Sequence, residues 1–415
     1  MFDEKYKFTC VDKFLEYVKY DTQSDEESTS FPSTEKQKIL SKDLADELKK
    51  MGLADAHLDE WGYVMATLPS NTTKKVDTIS FIAHVDTSPA VSGKDVKPVI
   101  NKNYRGGDIK LKNGGWVIKE NENPDLKNMI GYDIITTDGT TLLGADNKAG
   151  VAEIMDAVNY LLSHPEVKHG PIKICFTPDE EVGRGTEKID LKKLGAKYAY
   201  TVDGSSRGEV EIETFSADAV NVTFTGKNIH PGYAKGIMVN SLKVAAAFID
   251  SLPKDKISPE TTEKREGYVH PTTMSGNEEK TVVKFIIRDF ETQKLEELEM
   301  ILKGLAEETV KKFPGSKLDF EVIEQYRNMR EVLDKHPQVY EFAFQAMKNL
   351  DIEPITHPIR GGTDGSRLSF MGLPTPNIFA GEHSFHSQIE WVAVQDMEMA
   401  VRVIVEIAKV WEEKA

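Results

Sequence analysis

The sequence predicts an α/β fold in which a larger domain, built on a mostly parallel sheet, is interrupted by an inserted, smaller α+β domain. Apolar runs of strand length alternate with amphipathic helices towards both ends of the chain, as in parallel α/β sheets. Between about Thr214 and Pro337 the strands instead alternate polar and apolar residues, as half-exposed antiparallel strands do. The chain of 415 residues is also too long for one ordinary core. We therefore expect residues 1–214 and 327–415 to form the larger domain and residues 215–326 the inserted one.

The first half of the chain provides helices and buried strands in alternation. Apolar residues at helical spacing predict a first helix that begins near Phe8, and a second helix is expected from Glu35 to Met51 because Gly52 follows. Short apolar runs that end in polar residues predict three buried strands, in TISFIAHVD, IKICFTPDEE and AYTVDG. The segment AGVAEIMDAVNYLLSH has an apolar stripe and predicts a helix between the first two strands. Loops and short strands are expected from Ser88 to Asp138.

The inserted domain and the C-terminal part have their own predicted elements. AVNVTFTG, TVVKFIIRDF and LDFEVI are expected as strands, with a helix from about Asn240, a turn-rich segment after it, and a long helix from Thr292 to Phe313. After Pro337 the α/β pattern returns, with TPNIF as a strand and a C-terminal helix through MAVRVIVEIAKVW. These elements predict a small α+β unit inside the larger α/β one.

Composition excludes several classes of partner and site. The net charge is −16, from 52 basic and 68 acidic residues, which disfavours nucleic acids and anionic membranes because both are polyanions. Cys10 and Cys175 are the only cysteines, so neither a disulfide framework nor a thiolate zinc site is expected. No apolar run approaches the roughly 18 residues of a membrane span, and no secretory signal is visible at the N-terminus. The expected location is the cytoplasm.

Histidine and carboxylate side chains recur at the ends of the predicted strands. They are His84 and Asp86 after the first strand, Glu180 and Glu181 after the second, Asp203 after the third, and His386 after the last, while Asp146 precedes a helix. These are the ligand types that Zn²⁺ and related cations take in proteins. The carboxyl ends of parallel strands meet at one edge of a sheet, where α/β proteins place their sites. The pattern therefore predicts a metal site.

Each of these residues also has an ordinary structural explanation. Asp146 suits a helix N-terminus as a cap, adjacent glutamates are commonly a solvated face, and an Asp before Gly such as Asp203 is commonly a turn. An H-x-D triplet arises often by chance, and His386 competes with His383 for the same role. The recurrence of ligand types on successive strand ends is what favours the metal site.

Strand geometry suggests roles for two of the pairs. Side chains at positions i and i+2 of a strand point the same way, so Asp86 can accept the second N–H of His84 and fix its tautomer. Adjacent Glu180 and Glu181 would point to different sides, so that one could bind a metal while the other acts on water.

The order HVD…GADNKAG…DEE…VDG…H resembles the zinc metallopeptidases related to carboxypeptidase G2, aminoacylase and bacterial dipeptidases. Within that family the chain is most similar to the tripeptide aminopeptidases of bacteria. The segments that carry this resemblance span Phe14 to Glu390 and are FLEYVKYDTQSDEE, PSTEKQ, GYDIITTDGTTLLGADNKAG, TPDEEVGRG, VDG, IRGGTDGS and FHSQIE.

The resemblance implies two Zn²⁺ ions that share Asp146 as a bridge, although Co²⁺ or Mn²⁺ remain open. It assigns His84 and Asp203 to one metal, Glu181 and His386 to the other, and Glu180 to the general base. It also implies a cis peptide bond between Asp146 and Asn147, where several family members have two acids. The larger domain would then be the catalytic dizinc α/β domain, and the inserted domain a lid.

The resemblance further implies tripeptide substrates, and it points to side chains that would bind them. His230, Asn240 and Arg288 resemble lid residues that contact substrate or the oxyanion, and Arg360 resembles a residue that binds a substrate carboxylate through its guanidinium fork. The ordinary alternatives are a turn histidine, a helix cap and a surface arginine. The loop IRGGTDGS is not expected to cradle phosphate, since no G-K-[ST] follows and it is not expected to open a helix after a strand.

Two rival functions remain from the sequence. The first is a related dizinc dipeptidase, carboxypeptidase or N-acyl amino acid amidohydrolase, which would differ only in what surrounds the metals. The second is a non-catalytic binding protein on the same fold. The presence of every expected ligand and of Glu180 argues against this second function. The sequence leaves open whether the lid domain forms a homodimer, and it contains no nucleotide-binding fingerprint.

Overall fold

A computed structural model describes residues 2–415. Its contacts divide the chain into two units. The larger unit comprises the chain up to Ile212 together with Glu331–His357 and Thr363–Ala415, and the smaller unit comprises Glu213–Arg330 and Pro358–Gly362. The smaller unit therefore includes a short second segment that contains Arg360.

The elements of the larger unit follow the predicted alternation. In chain order up to the insertion they are α1 (Cys10–Tyr17), α2 (Gln37–Lys50), β1 (His57–Leu58), β2 (Val64–Leu68), β3 (Ile79–His84), β4 (Pro98–Asn101), β5 (Ile109–Lys110), β6 (Val117–Ile118), β7 (Ile134–Thr137), α3 (Ala145–Ser163), β8 (Ile172–Thr177), α4 (Leu191–Leu194), β9 (Tyr198–Gly204) and β10 (Val210–Glu211). The first helix begins at Cys10 rather than near Phe8.

The smaller unit, described throughout, contains one sheet, two α-helices and the short 3₁₀ helix Pro231–Tyr233. Its elements are β11 (Ser216–Thr225), α5 (Ser241–Asp250), β12 (Tyr268–Gly276), β13 (Lys280–Asp289), α6 (Thr292–Lys312) and β14 (Lys317–Tyr326). After α7 (Arg330–Leu333), which begins at the boundary, the larger unit resumes with α8 (Gln338–Asn349), α9 (Asp364–Phe370), β15 (Asn377–Phe379), β16 (Glu382–His383), β17 (Trp391–Ala393) and α10 (Val394–Glu413). The IRGGTDGS loop leads into the short helix α9, with Thr363 in the extended backbone conformation of a cap. The preceding named element is helix α8, so this is not the strand-to-helix turn of a phosphate-binding loop.

The main sheet of the larger unit is parallel at its centre and antiparallel at its edges. Among the described residues it has seven strands in the order β1-β2-β8-β3-β9-β15-β10. The four strands β8, β3, β9 and β15 run parallel, and antiparallel pairing attaches β2 and β10 on either side. Every residue of β3 is buried, as expected for a strand covered on both faces. The carboxyl ends of these central strands therefore lie along one edge.

The larger unit also contains a second, antiparallel sheet, which the sequence analysis did not predict. Its strands are β16-β17-β7-β4, so it joins the segment between Ser88 and Asp138 to the region after β15. In this sheet β7, which precedes the loop into α3, pairs with β17, which follows the loop after β16; Thr136 lies opposite Trp391.

The smaller unit is an antiparallel sheet, ordered β12-β13-β11-β14, with α5 and α6 packed on one face. Val220, Val222 and Phe224 alternate with less buried residues along β11 and face the helices, as predicted. Strand β12 lies where only a turn-rich segment was expected. It pairs with β13 although its second half is exposed, so its apolar content gave little strand signal. No helix in the described part of the chain is long and apolar enough to cross a membrane.

Candidate metal centre

The five expected metal ligands come from five separate segments of the larger unit. His84 is the last residue of β3, Asp203 is next to last in β9, and Asp146 lies in the first turn of α3. Glu181 lies in the turn after β8, and His386 lies between β16 and β17. Parallel pairing of β3 with β8 and β9 aligns the strand ends, which brings three of these segments to one edge.

Asp146 lies at the centre of this group. Its Oδ1 atom is 2.9 Å from His84 Nε2, and its Oδ2 atom is 3.0 Å from His386 Nε2. Asp203 Oδ1 lies 3.4 Å from the same His84 nitrogen, and Glu181 Oε2 lies 2.8 Å from His386 Nε2. Each oxygen of Asp146 thus faces a different imidazole, and each of these two Nε2 atoms faces one further carboxylate.

The donor set fits a pair of divalent cations. Among the described residues, Glu181 Oε1 and Asp203 Oδ1 are buried and have no hydrogen-bond partner, which is costly for a carboxylate. Ligand atoms of His84, Asp146 and Glu181 all lie within 4.8 Å of one another, and those of Asp146, Asp203 and Glu382 do so as well. The two groups share Asp146, as a pair of cations bridged by one carboxylate would require. They divide the other ligands differently from the expected pairs, since His84 falls with Glu181 and Asp203 with Glu382.

The electrostatics of the cluster also favour bound cations. Burial raises the pKa of Glu180 well above its usual range, and burial together with the charge of Asp146 raises the pKa of Glu181 to about 8. Burial likewise raises the pKa of Asp203. Hydrogen bonds to Asp146 and Glu181 raise the pKa of His386 to about 11. The buried carboxylates repel one another when ionised, and bound positive charge would reduce that repulsion.

Asp86 contacts His84 in a different way from the one predicted. The main-chain oxygen of Asp86 is 3.1 Å from His84 Nδ1, whereas its carboxylate Oδ1 is 3.4 Å away. The carboxylate instead accepts the backbone N–H groups of Glu180, at 3.0 Å, and Glu181, at 3.2 Å. Asp86 is completely buried. It therefore orients the imidazole mainly through its backbone and holds the Glu180–Glu181 turn through its side chain.

The expectation that Glu180 and Glu181 alternate along a strand is wrong. Strand β8 ends at Thr177, and the two glutamates lie in a turn beyond it. Their directions are consequently set by the turn backbone and by Asp86. Glu181 still reaches His386, and Glu180 lies partly exposed beside it.

Asp146 does not act as the cap of α3. The cap position is Gly144, in a left-handed conformation at φ 79°, and the local capping bond is made by Asn147, whose Oδ1 accepts the N–H of Gly150 at 3.2 Å. The peptide bond between Asp146 and Asn147 is cis, which confirms the prediction. Both carboxylate oxygens of Asp146 face the two histidines and make no capping bond.

Two buried glutamates of this region escaped the sequence analysis. Glu390 accepts backbone N–H groups from Leu143, Gly144 and Asp146 at 2.7, 2.9 and 3.0 Å, and burial raises its pKa to about 7. It holds the loop that presents Asp146. Glu382 is fully buried, and within residues 2–415 neither of its oxygens has a hydrogen-bond partner. The segment FHSQIE contained Glu390, but nothing in its spacing to Asp146 showed the contact.

The structure also separates the two competing histidines. His383 stacks on Trp391, with ring centroids 3.9 Å apart, and burial lowers its pKa to about 4. It is a packed core residue. His386, three positions later, has a left-handed backbone at φ 55° and directs its ring to Asp146.

His230 and Asn240, expected to contact substrate, both cap local backbone in the smaller unit. His230 Nδ1 accepts the N–H of Gly232 at 3.1 Å, and Asn240 Oδ1 accepts the N–H of Leu242 at 2.9 Å at the start of α5. Both residues line one surface cavity of the smaller unit. Their capping contacts match the ordinary alternatives, and a role in substrate binding stays a prediction.

Arg288 and Arg360 also have partners within the smaller unit. Arg288 donates to the carbonyl oxygen of Ile287 at 2.9 Å and lies over the ring of Tyr326. Arg360 donates from Nη1 to the carbonyl oxygens of Lys264 and Glu266, both at 2.9 Å, and from Nη2 to Thr262 Oγ1 at 3.0 Å. The terminal nitrogens of Arg360 are thus engaged by the 262–266 loop, so binding a substrate carboxylate would require that loop to release them.

This chain resembles peptidases in both sequence and fold. The family model of Peptidase family M20/M25/M40 matches residues 137–410. Peptidase T of Caldanaerobacter subterraneus subsp. tengcongensis is 50% identical over 405 residues, which cover 97% of this chain and 99% of that protein. The crystal structure of aminopeptidase PepT from Bacillus cereus has a TM-score of 0.73 at 25% identity, over 97% of this chain and 98% of that one. A dinuclear metal binding peptidase of the M20 family from Bacillus subtilis has a TM-score of 0.65 at 11% identity over 98% of both chains, which shows likeness of fold alone.

Proposed function

The chain belongs to Peptidase family M20/M25/M40, and from this premise we propose that it removes the N-terminal residue from tripeptides at a two-metal centre around Asp146. It is a metallopeptidase of α/β fold. The observation that most supports the two-metal centre is the position of Asp146, whose two carboxylate oxygens face two different imidazoles at 2.9 and 3.0 Å. A carboxylate in that position can bridge cations about 3.5–4 Å apart.

We propose that the larger unit is the catalytic domain and the smaller unit the lid. His84 and Asp203 would hold one cation and Glu181 and His386 the other, with Asp146 shared. The three carboxylates bring three negative charges, and the unpartnered oxygens of Glu181 and Asp203 are atoms that the cations would satisfy. Zinc is the metal we propose, since His and carboxylate ligands suit it, with Co²⁺ or Mn²⁺ as alternatives.

Two divalent cations supply Lewis acidity, which activates water and polarises the amide carbonyl. The protein's own part falls mainly to Glu180. Its carboxylate would take a proton from the attacking water and return it to the leaving amine, as a general base and then a general acid.

The proposed substrate is a short peptide with a free N-terminus. The relatives support this: one is named Peptidase T and another an aminopeptidase. In the smaller unit, His230, Asn240, Arg288 and Arg360 are proposed to bind the substrate, with Arg360 on the carboxylate end. A cytoplasmic location and a homodimer formed through the lid also remain proposals. Buried, unpaired Cys10 and Cys175 are compatible with a reducing compartment.

The test uses the peptide Leu-Gly-Gly, whose two ends give different products. An aminopeptidase releases leucine and Gly-Gly, whereas a carboxypeptidase releases glycine and Leu-Gly. N-acetyl-Leu-Gly-Gly and the dipeptide Leu-Gly serve as matched controls for an acylase and a dipeptidase. We expect leucine release that a chelator abolishes and two equivalents of Zn²⁺ restore. Faster cleavage of the acetylated peptide or of the dipeptide would contradict the proposal, and metal binding without any hydrolysis would indicate a binding protein.

A further inference from the structure

The turn that follows β8 determines where the two glutamates of the site point. Strand β8 ends at Thr177, and Glu180 and Glu181 follow in a turn whose backbone is not fixed by the sheet. Asp179, immediately before them, has a left-handed backbone at φ 56°. Aspartate adopts that conformation more readily than most residues other than glycine.

Side chains from distant segments hold three consecutive backbone N–H groups of this turn. Asp86 accepts those of Glu180 and Glu181, as described above. The N–H of Asp179 is accepted by Oε1 of Gln37, at 3.1 Å. Gln37 returns the contact, because its Nε2 donates to Asp179 Oδ1 at 2.6 Å. Gln37 and Asp179 are therefore paired through both backbone and side chain.

Ser33 completes the contact with Asp179. Its backbone N–H donates to Asp179 Oδ2 at 2.5 Å, and its hydroxyl donates to Asp179 Oδ1. Gln37 and Asp179 are fully buried, and Ser33 is nearly so. Ser33 and Gln37 both belong to the segment PSTEKQ, which is more than 140 residues away in the chain and has no part in the two-metal chemistry.

We infer that Gln37, supported by Ser33, is a positioning residue that fixes the Glu180–Glu181 turn in the orientation that catalysis needs. This inference rests on the proposed function. An amide side chain suits the position because it offers one acceptor for the N–H of Asp179 and a donor for its carboxylate at once. A carboxylate at position 37 would keep the acceptor and repel Asp179, and an apolar side chain would do neither.

The ordinary alternative is that Gln37 only anchors the start of α2. Loss of such an anchor would lower stability without changing the metal site. Loss of a positioning residue would change how Glu181 meets its metal and how Glu180 meets water. Removing a hydrogen-bond partner of a metal-site group typically costs about 10- to 100-fold in metal affinity or activity.

The test compares Gln37→Met with Ser41→Ala. Methionine at position 37 keeps the length and bulk of the side chain and removes both hydrogen bonds to Asp179. Ser41 is the matched control, since it is fully buried on the same helix and its hydroxyl donates to the carbonyl oxygen of Gln37 at 3.2 Å, away from the turn. Both proteins are stripped of metal and titrated with Co²⁺, followed by the visible absorption of the cobalt and by leucine release from Leu-Gly-Gly.

For Gln37→Met we expect a kcat about 10- to 100-fold lower with a KM within about threefold, and a weaker second Co²⁺ binding step with an altered absorption spectrum. Ser41→Ala should match the wild type in spectrum and kcat, whatever its thermal stability. A Gln37→Met protein with the wild-type spectrum and kcat would overturn the inference. So would a loss of activity that only follows the folded fraction measured by circular dichroism.

A second variant covers the case in which Gln37→Met does not fold. Ser33→Ala removes one donor to Asp179 and keeps the backbone N–H contact, so it should shift the cobalt spectrum and lower kcat by a smaller factor. No change in either readout would overturn the inference. Failure of the proposed function is distinguishable, because the wild-type protein itself would then bind fewer than two Co²⁺ ions or release no leucine.

Discussion

Replacement of Asp86 by asparagine tests how the metal centre is held together. The change keeps the size of the side chain and removes its charge. Asp86 is completely buried, and its two carboxylate oxygens accept the N–H groups of Glu180 and Glu181. Asparagine offers one oxygen and one NH₂ group, so only one of these two N–H groups can keep its acceptor and the other would face a donor.

The size of the effect follows from the lost contact. A hydrogen bond to a charged acceptor contributes about 1.5–3 kcal/mol. Its loss would destabilise the active orientation of the turn by the same free energy. If turnover needs the turn in place, kcat should fall by roughly 10- to 150-fold. The KM for Leu-Gly-Gly should change little, because Asp86 is buried beneath the site and is not proposed to touch substrate.

The assay is steady-state leucine release at saturating Zn²⁺, with metal content measured on the same samples. Asp156→Asn is the matched control. Asp156 is also fully buried, and its Oδ2 accepts the backbone N–H groups of Thr9 and Cys10 at 2.8 and 3.0 Å, away from the metal centre. We expect that control to unfold at lower temperature with kcat within about twofold of the wild type. An Asp86→Asn protein with wild-type kcat, or equal losses in both variants, would refute the reasoning.

Two further predictions concern Glu180 and Glu211. Glu180→Gln should retain near-normal metal content and lower kcat by about 10²- to 10⁴-fold, because it removes the proposed proton carrier and no proposed ligand; unchanged turnover measured on fully metallated protein would defeat the role. Burial raises the pKa of Glu211 to about 8, against 4.5 for the free side chain, and Asn377 donates to it at 2.6 Å. Between these pH values the folded state keeps the proton of Glu211 and the unfolded state releases it. The free energy of unfolding that this proton contributes is therefore complete below pH 4.5 and is lost as pH rises towards 8, at up to about 1.4 kcal/mol per pH unit. In Glu211→Gln the free energy of unfolding, measured with denaturant at several pH values, should fall less steeply over this range; parallel curves for the two proteins would contradict the assignment.

The sequence was sufficient for features that depend on local pattern. Apolar runs of strand length placed β3, β8 and β9, and the polar residues at their ends placed His84 and Asp203. The rule that parallel strands end at one edge then predicted that these residues meet. The antiparallel edge strands and the second sheet were missed, since short strands at sheet edges have weak patterns of their own.

The features of the site that could not be predicted depend on contacts between distant segments. The residue pattern alone left His383 and His386 as alternatives, and His386 was assigned only through the family resemblance. Which ring packs against Trp391 is a property of the folded chain. Nothing in the sequence indicated that Glu390 holds the loop of Asp146. Both facts follow from side chains that are far apart in the chain and adjacent only after folding.

The fold class and the chemical types of the proposed ligands can be predicted from the sequence, because periodicity and residue chemistry are properties of short segments. The directions of Glu180 and Glu181 depend on tertiary contacts. Their turn lies outside any strand, and its backbone is held by Asp86 and Gln37 from other parts of the chain. A turn without a ladder of its own takes the conformation that its long-range hydrogen bonds select.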